Sequence, residues 1–105
     1  MSTRGAVVVL TLITAVVHLF VGWPPQGIDA LLFLNGLGYL VLLAAWWRTP
    51  AFLSRHLVRW VYMLYTAVTI VGYFAVWGLG GLTDALGMFT KVVEVLLILA
   101  LWREG

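Results

Sequence analysis

Residues 89–102 read "FTKVVEVLLILALW", and this stretch decides what solvent the chain was built for. From Val92 to Trp102 every residue is apolar except Glu94, and Lys91 stands three positions before it. A helix crossing the hydrocarbon of a bilayer needs about 20 such residues. Three more stretches of that kind precede it. The four spans are predicted at about residues 6–23, 28–47, 57–77 and 82–102. "PPQG", "RTPAFLSRH" and "GLGGLTD" separate them. The paired prolines remove backbone donors and stop a helix, and the glycine-rich segment reads as a turn.

Composition agrees with lipid as the solvent. Of 105 residues, 64% are hydrophobic and 10% charged, where a soluble domain carries roughly 25% charged. The mean hydropathy is +1.08. A soluble domain of this size has too little interior to hide so much apolar surface. The expected fold class is therefore all-α, a bundle of four transmembrane helices made from two tandem hairpins, filling residues 1–105 as a single membrane domain. The first apolar run follows Arg4 as in a signal peptide, but it is long and ends in "WPPQ" rather than a cleavage site, so it reads as a retained span.

Charge sets direction. Arg4, Arg48, Arg55, Arg59 and Arg103 fall on one side of four crossings, and the other connections carry only Asp29 and Asp84. The positive-inside rule then predicts a multi-pass protein of the cell membrane with both termini cytoplasmic. Trp23 and Trp77 are expected as anchors at the outer interface, and Trp46, Trp47, Trp60 and Trp102 at the inner one. The formal charge of +2 is thus a topology signal, and nucleic acid is not an expected partner.

The halves also resemble each other. "LITAV" (12–16) matches "LYTAV" (64–68), "IDAL" (28–31) matches "TDAL" (83–86), and "AWWR" (45–48) matches "ALWR" (100–103). These matches point to a parallel internal repeat about an axis along the membrane normal.

Polar residues inside spans carry the functional question. At helical spacing, Thr11, Thr14 and His18 share one face, as do Asn35, Gly38 and Tyr39. Tyr62, Thr66, Thr69 and Tyr73 share a third, and Gly87, Lys91 and Glu94 a fourth. Lipid must meet the apolar sides, so the polar stripes should converge inside. At 1.5 Å of rise per residue, His18 and Tyr73 lie roughly 6–8 Å below the outer interface. Asn35, Thr69 and Lys91 lie roughly 10–14 Å deep and Glu94 roughly 18 Å. The predicted intramembrane polar cluster is His18, Asn35, Thr69, Tyr73, Lys91 and Glu94. Its chemistry is either hydrogen-bonding glue between helices or a proton, ion or small-ligand site.

Several chemistries find no residues. There is no cysteine. His18 and His56 fall near opposite faces, which argues against bis-histidine haem within one chain, and Glu94 has no second carboxylate for a dimetal site. "GLGYL" (36–40) reads as a close helix contact, not a phosphate loop. No metal, cofactor or catalytic residue is expected.

The stretches "TAVVHLFVG" (14–22), "FLNGLGYL" (33–40), "YTAVTIVGYF" (65–74) and "KVVEVLLILAL" (91–101) resemble small uncharacterised four-span membrane proteins of archaea and bacteria. That resemblance implies a prokaryotic integral membrane protein and no particular activity. The first span lacks the embedded glutamate of small multidrug-resistance transporters. Size and the missing catalytic groups lead first to a non-enzymatic accessory or structural subunit of a larger membrane assembly. Its partners would be membrane lipids, other membrane subunits or further copies of the chain. The alternative is a small oligomeric transporter or channel using Lys91 and Glu94. A third reading is lipid, quinone or pigment binding in a polar pocket of the outer half.

Overall fold

The computed structural model describes residues 2–104. Four α-helices run α1 Thr3–Val21, α2 Ile28–Trp47, α3 Arg55–Trp77 and α4 Ala85–Arg103, and residues 78–83 wind as a 3-10 helix. All four are long and apolar enough to cross a bilayer, so the chain reads as a small multi-pass membrane protein with an all-α four-helix bundle. Among the described residues there is no strand.

Local chemistry fixes the helix ends. Ser2 opens α1 by accepting the Gly5 N–H at 3.0 Å, and Ser54 opens α3 by accepting that of Leu57 at 2.9 Å. The first span therefore starts earlier than residue 6, and it closes at Gly22 rather than Trp23. The fourth span starts at Ala85, not 82, because Leu82 and Thr83 belong to the 3-10 helix and Asp84 precedes the first α-turn. Gly27 and Gly78 both take φ near +59°, a left-handed backbone that a side chain would strain.

Successive helices alternate in direction, and each packs on its sequence neighbours, with α4 closing the ring against α1. The seam between α2 and α3 is the thinnest of the four. The α1–α2 seam is the tightest. A Cβ placed on Gly36 would stand 2.9 Å from the Ala15 carbonyl oxygen and 2.9 Å from Leu19 Cγ, so only glycine admits this approach. This unequal packing does not by itself show the duplication suggested by the matched segments.

The two ends of the bundle differ. At one end arginines cover backbone carbonyls at helix C-termini: Arg55 donates to Trp46 O at 3.1 Å, Arg4 to Trp47 O at 3.4 Å, and Arg59 to Leu101 O at 3.2 Å. A helix C-terminus has unpaired carbonyls and partial negative charge, so guanidinium groups stabilise it twice over. At the other end lie the connections carrying Asp29 and Asp84.

One tryptophan differs from the other five. Trp46 stands at the arginine end but is fully buried in the bundle. The Arg55 and Arg4 guanidiniums lie 4.7 and 5.1 Å from its ring, closing it off from outside. Trp23, Trp47, Trp60, Trp77 and Trp102 are exposed. The remaining large exposed side chains are mostly Leu, Val and Phe on the outward faces, the surface that lipid would wet.

Candidate functional site

Glu94 is the centre of the interior. Its side chain is completely buried, and it sits mid-helix on α4, where backbone donors are already used. A carboxylate there must find its hydrogen bonds among side chains. Lys91, one turn earlier, forms an ion pair with Oε1. Oε2 accepts from Thr14 on α1 at 2.8 Å and from Tyr39 on α2 at 3.2 Å. Three helices thus converge on one carboxyl group.

His18 is the fifth member. Its Nδ1 lies 2.7 Å from the Thr14 backbone oxygen. A carbonyl only accepts, so Nδ1 carries the hydrogen. Nε2 then faces Glu94 Oε2 across 3.8 Å, beyond direct hydrogen-bond reach. In the neutral ring that nitrogen is an acceptor looking at another acceptor.

Tyr73 supports the cluster from above. Its hydroxyl donates to Gly81 O at 2.7 Å, tying α3 to the 3-10 helix, and its ring lies 5.0 Å from Lys91 Nζ. A buried ammonium gains from an aromatic face. Gly87 has no Cβ because one would collide with the Tyr73 hydroxyl. Asn35 and Thr69 form a separate pair, with Asn35 Nδ2 donating to Thr69 Oγ1 at 3.0 Å. The structure therefore brings His18, Lys91 and Glu94 together, sets Tyr73 against Lys91, and leaves Asn35 and Thr69 off the carboxylate.

Those two residues line a cavity instead. It has a volume of about 240 Å³ and lies between α2 and α3, at their thin seam. His18, Asn35, Thr69, Tyr73 and Lys91 supply its polar wall. Leu31, Val68 and Val76 also line it, and all three are exposed on the bundle's outside, so the cavity opens sideways. A smaller cavity of about 90 Å³ touches His18, Tyr73 and Lys91 from the α1–α4 side.

Toward the arginine end the interior is closed. Tyr62, Leu97, Leu101, Trp46 and Val7 are fully buried in one packed cluster, and Tyr62 is hydrogen-bonded to Thr11. The two diagonals of the bundle are crossed only by side chains, Thr11 to Tyr62 and Tyr39 to Glu94.

Thr14 and Tyr39 hold the carboxylate but lie outside the predicted cluster. Both stood on the polar stripes, Thr14 four residues before His18 and Tyr39 four after Asn35. Requiring an acceptor-only carboxylate to have hydroxyl donors at its depth would have found them.

No family model, curated protein or solved structure matches the chain.

Proposed function

We propose that this is a non-catalytic membrane protein, with both termini cytoplasmic, that holds a small lipid-soluble molecule in the cavity between α2 and α3. One observation carries the reading. Lys91, paired with the fully buried Glu94 behind it, does not merely pack between helices but lines a cavity that opens sideways. A charge at the bilayer centre costs about 2.5–3.5 kcal/mol on insertion scales, and packing alone would be served as well by apolar residues. A polar wall with an apolar mouth suits a ligand arriving through the hydrocarbon.

A purely structural accessory role accounts for the ion pair but not for the space beside it. Conduction through a single bundle is disfavoured by the packed cluster below Glu94. Ligand binding is compatible with membership of a larger assembly, where this chain would present or store the molecule.

Gly72 supplies the test. It lines the cavity, and a Cβ there meets nothing within 4 Å. Gly72→Leu should fill the space without disturbing the helix packing. Protein purified gently from its native membrane should retain about one lipid-soluble molecule per chain by native mass spectrometry. The variant should melt at the wild-type temperature and lose that molecule. Equal retention by both proteins, or none by the wild type, would overturn the reading.

A further inference from the structure

The hydrogen-bonding groups around the cavity do not balance, and the imbalance describes an occupant. Among the described residues, Glu94 is the one acceptor for the Lys91 ammonium, which leaves two of its three N–H groups unmatched. Asn35 Oδ1 is a buried acceptor with no partner. His18 Nε2 is a second acceptor, since Nδ1 holds the ring hydrogen against Thr14 O. One wall thus offers donors and acceptors together. The ion pair is neutral overall, so the wall has no net charge to offset a charged ligand.

From this we infer that the occupant is a neutral, single-chain amphiphile with a hydroxyl head, such as a long-chain or isoprenoid alcohol. This rests on the cavity being a ligand site at all. The hydroxyl oxygen accepts from Lys91, and its hydrogen is donated to Asn35 Oδ1 or His18 Nε2. An ether can only accept, leaving those two acceptors bare, which costs affinity. A carboxylate also only accepts, and it brings a second buried negative charge beside Glu94. A double-chain phospholipid is too large, because about 240 Å³ holds the volume of about eight water molecules. The head and the start of one chain fill it. The rest of the chain leaves past Leu31, Val68 and Val76 into lipid.

The experiment uses the full chain in nanodiscs and a long-chain alcohol carrying a diazirine near its head. Light should attach it to residues of the α2–α3 mouth, mapped by mass spectrometry. Unlabelled alcohol should compete, while the methyl ether and the fatty carboxylate of equal length should compete about tenfold less well. Asn35→Leu should weaken the preference for alcohol over ether, and Asn35→Leu with His18→Phe, which removes both acceptors, should erase it. Labelling of the mouth with equal competition by the ether would overturn the hydroxyl head and leave the cavity a ligand site. No labelling there by alcohol, ether or carboxylate probe would overturn both.

Discussion

Thr14 reaches across from α1 to Glu94 on α4 with a 2.8 Å hydrogen bond, and its own backbone oxygen holds His18 Nδ1 at 2.7 Å. One residue therefore both satisfies the carboxylate and fixes the imidazole that faces it. Buried charge of this kind is tolerated only while every partner stays in place.

The ion pair should behave as a unit. Glu94→Leu leaves the Lys91 ammonium buried and unpaired, and is expected to cost about 3–5 kcal/mol. Lys91→Met together with Glu94→Leu removes both charges and should restore most of that loss. Unfolding equilibria in mixed micelles, run as a double-mutant cycle, measure the coupling. A double variant as unstable as Glu94→Leu alone would mean the two side chains do not pair.

Hydroxyl donors to the carboxylate should matter individually but modestly. Tyr39→Phe and Thr14→Val each remove one bond to the carboxylate, worth about 0.6 to 1.7 kcal/mol inside a membrane protein, and Thr14→Val also loses the hydroxyl's 3.2 Å contact with His18 Nδ1. Thr14→Val should in addition leave His18 in place, because the backbone carbonyl is untouched. The same unfolding assay and the imidazole nitrogen resonances check the two halves of this expectation.

Arg59 should be needed at the end of α4. Its Nη1 lies 3.2 Å from Leu101 O and 3.5 Å from Trp102 O. Arg59→Gln should cost up to about 2 kcal/mol, the upper range for a partly buried cation at a helix C-terminus. Hydrogen exchange should quicken at the amides of the last α4 turn and stay unchanged at the start of α1.

Two glycines should respond unequally. Gly36→Val drives a branched side chain into Ala15 and Leu19, and overpacking of this kind costs about 1–3 kcal/mol. Gly72→Ala meets open space and should change stability by less than about 1 kcal/mol. Thermal melts in one detergent separate them.

How much of this could be read in the chain follows from what each helix encodes alone. The run around "KVVEVLLILALW" and its three counterparts announce long apolar helices, and Lys91 three before Glu94 places both on one face. The rotation of one helix against another is not written in any single helix. α2 is apolar almost all round: its short polar stripe turned Tyr39 inward, but nothing local paired it with Glu94 or turned Trp46 inward. Residues 82–84 lie where the segment "GLGGLTD" meets the fourth span, and Gly78, Gly80 and Gly81 allow a tighter winding there.

The guanidinium groups at the arginine end close the carbonyls of α2 and α4 as well as carrying positive charge. In the proposed topology the same atoms carry the orienting charge and the stitching. Relocating those residues to invert the chain in the bilayer would also unravel two helix ends. Lysine in their place could keep the insertion signal while losing the planar fork that reaches the backbone.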